Sequence, residues 1–482
     1  MPDAAGPDNA SSTVAAPARS TARAATFLVA GTFFMEMLDG TIIATALPQM
    51  AHSFGVGPVA LNLGMTAYLL ALAAFIPIGG WLANRFGART VFASAIGLFT
   101  FASLLCASST SLWAFTASRL LQGMAGAAMV PVGRLIVLRM AGKGDLIRAM
   151  GTIVWPGLIA PVLGPPLGGL IVEYLSWHWI FIINIPLGIA AVALALAIVP
   201  AKLGEPRHRP LDMLGFLLST AALMLIVFGI DALGNGHQDG GIALAVTLGG
   251  LALGALSIRH FMRHPHPLID LRPLKVRTFA VIVYGGTLQR MAIGAMPLLL
   301  PLLFQVGFYA DPVTAGGLVL FMFAGNLAMK TVTTPVLKRF GFWRVMTLNG
   351  VLAALAIAAC ATLSPAAPHW LIAVVLFAGG AFRSMQFTSL TAIQFADVPP
   401  EQQADANSLS SMMIQLGLGL GVLLGASLLN LSVWLGGRAG EPPMIGDFRF
   451  AFVATALVGM LGLIDLWRLP RDAGAALLRR TD

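Results

Sequence analysis

The chain has 482 residues, 57% of them hydrophobic and only 10% charged, with 53 glycines, 2 cysteines, a formal charge of +9 and a mean hydropathy of +0.85. Such an apolar excess excludes a soluble globular domain, and two cysteines exclude a disulfide framework. What remains is an all-α polytopic membrane protein, to be read as windows of about 20 apolar residues bounded by polar turns.

Residues 1–24 are rich in Ala, Ser and Pro without an apolar core, so they read as a disordered cytoplasmic tail and not as a cleaved signal peptide. Fourteen helices follow, expected at 26–48, 62–82, 89–107, 112–134, 149–172, 178–199, 212–231, 241–261, 278–304, 313–335, 344–362, 370–394, 407–432 and 449–468. With a cytoplasmic start, 23 of the 29 basic residues fall in cytoplasmic segments, among them Arg85, Arg89, Arg139, Lys143, Arg148, Lys202, Arg207, Arg263, Lys275, Lys338, Arg339 and Arg471. Arg438 and Arg449 lie outside, and Arg119, Arg290, Lys330 and Arg383 sit inside helices. This one-sided charge places both termini, including a second tail at 471–482, in the cytoplasm. It accounts for the +9 as a face turned towards anionic lipid headgroups, with no nucleic-acid partner implied.

Helix 1 contains FFMEMLDGTIIATALP (33–48), in which Glu36 and Asp39 interrupt an apolar run. A charge at the bilayer centre costs about 2.5–3.5 kcal/mol on insertion scales, so both acids require a function or a partner. The turn after helix 2 carries Arg85, Gly87 and Arg89, a tight cationic corner suited to helix C-termini or lipid phosphates, or to topology alone. Helix 4 places Arg119 inside the span with Gln122 on roughly the same face; an arginine stays charged, so it needs water, a carboxylate or carbonyls, and Asp39 or Glu36 is the obvious partner. Helix 5 combines Gly157, Gly164, Gly168 and Gly169 with Pro161, Pro165 and Pro166, a small-residue face for close packing on a bendable backbone. Cys106 and Cys360 read as packing residues. The stretch RHFMRHPHP (259–267) groups His260, His264 and His266; it is assigned to a basic linker, with no metal site expected.

In the second half, helix 9 offers Tyr284, Gln289, Arg290 and Met291, and helix 12 offers Arg383, Met385, Gln386 and Phe387, polar hooks among adaptable apolar surface. Lys330 is expected to snorkel from helix 10. The string VLKRFGFWRVM (336–346) repeats the Arg-Phe-Gly of LANRFGARTVF (82–92) at an offset of 254, which also carries Cys106 onto Cys360 and Glu36 onto Arg290. The chain thus divides into six-helix halves, 25–200 and 278–470, with helices 7 and 8 and a linker (201–277) inserted between them. Parallel repeats of this kind place a site near the midplane between halves.

Five stretches in order, LDGTIIATALPQM (38–50), GWLANRFGAR (80–89), RLLQGMAGAA (119–128), GPPLGG (164–169) and WHWIFIINIPLG (177–188), resemble the motifs of the fourteen-helix drug:proton antiporter branch of the major facilitator superfamily. VPVGRL (130–135), SWHWIF (176–181) and the arginines of helices 9 and 12 are most similar to its MdtD-type multidrug-resistance group. Three positions depart from the pattern: Asn84 stands where the family has Asp, Ala44 where it has Asn, and Ala160 where it has Gly.

The resemblance implies a proton-coupled multidrug exporter of the bacterial inner membrane, without a cofactor beyond the proton gradient, working by alternating access on a small-molecule substrate. It implies proton coupling through Asp39 and Arg119 and gating by Arg85, Gly87, Arg89, Gly164, Pro165, Gly168 and Gly169. Glu36 lies outside the family's motif and joins the proton site by its place beside Asp39, while the residues themselves offer a substrate cavity drawing on Arg290, Arg383, Gln122, Gln289, Tyr284 and Gln386. Arg290 and Arg383 leave two alternatives open, an anionic substrate such as citrate or metal-citrate, or counterions for the acids of helix 1. A non-transporting sensor or scaffold is the reading from another class. The chain is expected to act as a monomer, with a periplasmic adaptor as a possible partner. There is no HExxH, phosphate-binding GxxxxGK[ST] or nucleophile motif, so no enzyme is expected.

Overall fold

A computed structural model describes residues 19–140, 146–201, 203, 210–235, 240–471 and 473–474. The described residues contain no strand, and fourteen long helices carry the fold: α1 (Arg19–Ile42), α2 (Asn62–Phe86), α3 (Ala88–Ala107), α4 (Leu112–Met140), α5 (Leu146–Tyr174), α6 (Asn184–Ile198), α7 (Met213–Asn235), α8 (Gly240–Arg263), α9 (Arg277–Leu302), α10 (Pro312–Phe340), α11 (Phe342–Ala359), α12 (His369–Ile393), α13 (Gln403–Leu435) and α14 (Ile445–Leu466). Thirteen are long and apolar enough to cross a membrane, and α5 fills the remaining expected span. The all-α polytopic fold with fourteen spans is as expected, but several ends move.

The expected tail at 1–24 is corrected at its end, because α1 begins at Arg19; the Ala-rich stretch from there has the propensity to continue the apolar helix outward. Residues 1–18 and 475–482 lie outside the described residues. Helix α1 also stops at Ile42 rather than 48, giving way to a 3-10 turn and then a short helix, Leu47–Phe54, with Pro48 in its first turn. At the other extreme, α4 and α10 overrun their expected ends to reach Met140 and Phe340, since a helix keeps its hydrogen bonds as it leaves hydrocarbon and its Arg and Lys residues enter water.

The Arg-Phe-Gly repeat is a structural repeat. Gly87 joins α2 to α3 with φ +89 and ψ 138, and Gly341 joins α10 to α11 with φ +77 and ψ 160. Side chains with a Cβ do not tolerate that region, so glycine is required at both corners. These two corners mark one end of the molecule, here termed the basic end.

The two ends are packed differently. Away from the basic end a single apolar cluster runs through both halves, joining Ile42, Ala46, Leu47 and Phe115 to Leu299, Phe304, Leu318 and Phe448. A Cβ on Gly169 of α5 would strike the Pro312 carbonyl of α10, and one on Gly316 of α10 would strike the Pro165 carbonyl of α5, so the two helices meet backbone to backbone. Gln305 Nε2 donates to Thr45 O across the same seam at 3.1 Å. At the basic end the clusters are separate: one belongs to the first half around Phe92 and Val132, another to the second around Phe342 and Met385. The halves are therefore sealed at one end and parted at the other.

The inserted helices sit on the flank of this seam. Val227 of α7 packs with Leu70 and Ala73 of α2 and with Leu416 and Leu423 of α13, so α7 touches both halves. Phe216 of α7 adds an edge-on contact with Phe75 of α2 at 5.0 Å. Only 22% of the most apolar window of α7 and 17% of that of α8 is buried, against 78% for α2, so the pair presents most of its surface to lipid.

Candidate functional site

Asp39, Arg119 and Gln122 come together as one buried cluster. Arg119 Nη1 donates to Asp39 Oδ2 and to Gln122 Oε1, both at 2.6 Å, while Gln122 Nε2 donates to Asp39 Oδ1 at 2.9 Å. Arg119 and Asp39 are each 1% exposed. The pair joins α1 to α4, and Arg119 lies two turns into its helix from the sealed end. Of the two expected partners it is Asp39, not Glu36, that binds the arginine.

Two further polar side chains complete the cluster. Asn184 of α6 donates from Nδ2 to Asp39 Oδ1 at 2.8 Å, and Ser103 of α3 accepts from Gln122 Nε2 at 2.9 Å and from Asn184 Nδ2 at 3.3 Å. Ser103 itself donates to Phe99 O at 2.9 Å, so its position is fixed by its own helix. The Tyr68 ring of α2 lies under the guanidinium, 4.0 Å from ring centre to Arg119 Cζ. Asp39 thus accepts from three side chains on two helices, and Arg119 is sandwiched between a carboxylate and an aromatic face. Reasoning from sequence missed Tyr68, Ser103 and Asn184; the signal for Asn184 was its isolation in an otherwise apolar span.

Glu36 is close to this cluster but outside it. Its carboxyl faces Gly126 of α4, and Oε2 has no hydrogen-bond partner among the described residues. The expected opposition of Glu36 and Arg290 across a cavity does not occur: no ion pair joins them, and each is buried within its own half at 3% and 1% exposure. Pseudo-symmetry aligns their positions along the chain, but packing of α1 on α4 and of α9 on α13 turns both side chains inward. Arg290 lies against Gly417 of α13, and its Nε and Nη2 have no partner among the described residues.

The other cavity candidates divide. Gln289, Gln386 and Asn349 bond to one another inside the second half, with Gln386 Nε2 to Gln289 Oε1 at 2.7 Å and Asn349 Nδ2 to Gln386 Oε1 at 2.9 Å. The cavity-lining role expected of Gln289 and Gln386 is corrected, because bonding between buried amides directs both into the bundle, with Gln289 Nε2 left without a partner among the described residues. Tyr284 is 58% exposed, near the basic-end start of α9. Arg383 borders a cavity of about 30 Å³ with Met322, Met296, Cys360 and Ile357; its Nη1 is 3.8 Å from Met322 Sδ, and it lies 5.7 Å from the Phe323 ring centre. Lys330 does not snorkel: its Nζ donates to Thr388 Oγ1 of α12 at 2.6 Å.

Of the expected gating residues, Gly164 and Gly168 pack α5 against Thr41 and Ile42 of α1, while Pro165 and Gly169 form the contact with α10. At the basic end Arg85 is exposed and Arg89 half-buried, and neither enters an ion pair among the described residues. The residue that reaches the loop is Arg139, from Nη1 to Leu203 O at 2.5 Å and, weakly, from Nη2 to Asn84 Oδ1 at 3.4 Å. An asparagine at 84 makes this a guanidinium–amide contact in place of an ion pair.

The histidine-rich stretch forms a hydrogen-bonded knot. Asp212, His260 and His264 place ligand-type atoms within 4.8 Å of one another. Both Asp212 oxygens are already engaged, Oδ1 with Gly215 N and His260 Nε2 at 2.8 Å each, and Oδ2 with Leu268 N at 3.1 Å. His266 donates its backbone N–H to His264 Nδ1 instead of joining the group.

Comparison with known proteins gives consistent results. The family model described as Major Facilitator Superfamily matches residues 29–421 and 282–480. Proteins named multidrug resistance protein MdtD are similar over nearly the whole chain: that of Cronobacter sakazakii is 36% identical, covering 94% of this chain and 96% of its own, and one from Escherichia coli is 35% identical with the same coverage. Among solved structures, the nucleoside transporter NupG superposes with a TM-score of 0.65 at 14% identity, covering 92% of this chain and 99% of its own. An auto-inhibited peptide transporter of the POT family gives 0.66 at 17% identity, covering 92% and 97%.

Proposed function

Since the chain belongs to the major facilitator superfamily and is a transporter of small molecules rather than an enzyme, we propose that it is a proton-coupled exporter of the bacterial inner membrane, with Asp39 as the proton carrier. The observation that carries this reading is the buried carboxylate held by Arg119, Gln122 and Asn184. The arginine stays charged under all relevant conditions, so proton uptake at Asp39 cancels the charge that holds it and frees its donors. Loss of those bonds loosens α1 from α4 and α6, and regaining them on proton release tightens the first half again. A group whose bonding changes the shape of a half-molecule is what coupling a proton to alternating access requires.

The relatives named for multidrug resistance support a varied, largely apolar substrate. The seal at one end and the separate apolar clusters at the other, read with the charge asymmetry, support a cytoplasm-facing arrangement of the halves. A second reading, export of an organic anion, is favoured by Arg290 and Arg383, two inward cations of the second half without a carboxylate partner among the described residues.

Flux in proteoliposomes under an imposed pH gradient tests both. Export of a lipophilic cation with matching proton release, abolished by Asp39→Asn in a protein that still elutes as folded, is the expected result. Unchanged coupling in that variant would falsify the proton role. If an organic acid moves and a lipophilic cation does not, and Arg383→Ala removes the acid's flux in a protein that still elutes as folded, the second reading replaces the first in substrate class.

A further inference from the structure

The inserted pair carries a concave site that proton-coupled export does not use. At the basic end, a groove of about 420 Å³ lies over α7 and α8, lined by Leu214 and Leu218 of α7, Leu256, Arg259, His260 and Arg263 of α8, and the turn that follows. We propose that this groove binds the phosphate headgroup of an anionic phospholipid, with the acyl chains lying along the three leucines.

The floor and the rim have complementary chemistry. Leu214 is 57% and Leu256 49% exposed on the two spans least covered by protein, so this apolar floor faces hydrocarbon. Arg259 and Arg263 stand one turn apart on the last turns of α8, where the helix emerges, and are themselves exposed. Their spacing lets both guanidinium groups reach one phosphate, and the helix C-terminus accounts for only part of the favourable setting for cations.

Among the described residues neither Arg259 nor Arg263 enters an ion pair. Asp212, bonded to His260 in the groove wall, has its two oxygens taken by Gly215 N, His260 and Leu268 N. Asp270 is held by Arg272 at 2.5 Å. A one-sided excess of positive charge sets topology anywhere along that membrane face, but it does not by itself produce a groove that joins exposed leucines to a pair of arginines at a helix end. A free phosphate would satisfy the arginines alone, leaving the leucines without a role. Basic recesses between spanning helices are suited to such headgroups.

The site also sits where binding would be felt. Phe261, two residues from Arg259 and Arg263, packs with Ile269, Phe279 and Leu409, so the end of α8 is anchored to the second half, while α7 contacts the first as well.

Native mass spectrometry of the full chain in detergent, with equal amounts of phosphatidylglycerol and phosphatidylcholine, provides the test. Retention of phosphatidylglycerol over phosphatidylcholine is expected, and Arg259→Gln with Arg263→Gln should lower phosphatidylglycerol affinity roughly thirtyfold, given about a fivefold contribution from each basic residue near a headgroup. Leu218→Asn should weaken lipid retention without changing the binding of inorganic phosphate. Equal retention of the two lipids, or loss of neither in the double variant, overturns the proposal. Inorganic phosphate that displaces the lipid, with Leu218→Asn having no effect on lipid retention, overturns it in favour of a free-anion site. Both arginines are exposed, and should the double variant misfold, the lipid preference of the unaltered chain and the Leu218→Asn comparison still decide.

Discussion

Arg119 binds three groups at once: the Asp39 carboxylate, the Gln122 amide oxygen and the face of Tyr68. A lysine in its place keeps the charge but not the flat fork or the stacking surface. Arg119→Lys is therefore expected to lose at least tenfold in proton-driven flux, nearly as much as Arg119→Ala, measured in proteoliposomes at equal protein content. Asn184→Leu keeps the volume and removes one donor to a buried carboxylate; it should lower stability by about 1.5–3 kcal/mol, read as an earlier thermal transition in detergent. The pairing of Asp39 with Arg119 was legible because a charge inside a span demands a partner. Ser103 and Asn184 were not, because neutral polar residues can satisfy themselves on their own helix, as Ser103 does towards Phe99 O. Gln289 and Gln386 show the opposite error. Their polarity suggested a cavity, whereas the rotation of α9 and α12 that turns them towards each other depends on packing that periodicity alone does not specify.

Helices α5 and α10 meet through glycine and carbonyl at the sealed end, and their contact leaves no room for a side chain. Gly169→Val should hold that end apart, so that a thiol introduced by Ala46→Cys, at a position 0% exposed, becomes reactive to an impermeant maleimide where it is otherwise protected. The same helix depends on a cap: Asp311 accepts from the Thr314 amide at 2.8 Å and from its hydroxyl at 2.6 Å. Those two bonds hold the Asp311 carboxyl below its ordinary value. A carboxyl with a depressed value in the folded state stabilises above the ordinary range near 4, and that stabilisation is lost as pH falls through the lowered value. Asp311→Ala should cost about 1 kcal/mol at neutral pH, a difference from the parent that shrinks on acidification, measured by thermal unfolding across pH. Hydropathy located the spans because twenty apolar residues are a property of composition. It misplaced the ends of α4 and α10 because those last turns lie beyond hydrocarbon and are held by backbone bonds and caps.

At the scale of the molecule, the twin corners at Gly87 and Gly341 show that two halves were laid down on one plan, while their interiors have diverged. The first half buries an ion pair in a polar cluster, and the second a ladder of neutral amides. If the halves rock about the seam, joining Thr45→Cys to Gln305→Cys with a short bifunctional thiol reagent should stop transport, and the single variants should be insensitive; the 3.1 Å contact between these residues makes them the natural place to fasten the seal. Insensitivity of the double variant would mean that this end never opens during turnover.

Arg290 and Arg383 give the second half a further property. Neither has a carboxylate partner among the described residues, so that half holds positive charge at depth without local neutralisation. Any displacement of it along the membrane normal moves charge through the transmembrane electric field. One elementary charge crossing the whole field corresponds to about 2.3 kcal/mol per 100 mV, and a partial excursion of two charges remains comparable with the energies that separate conformations. If the protein alternates between two orientations that shift this half along the membrane normal, the balance between them becomes a reading of voltage, independent of any proton carried.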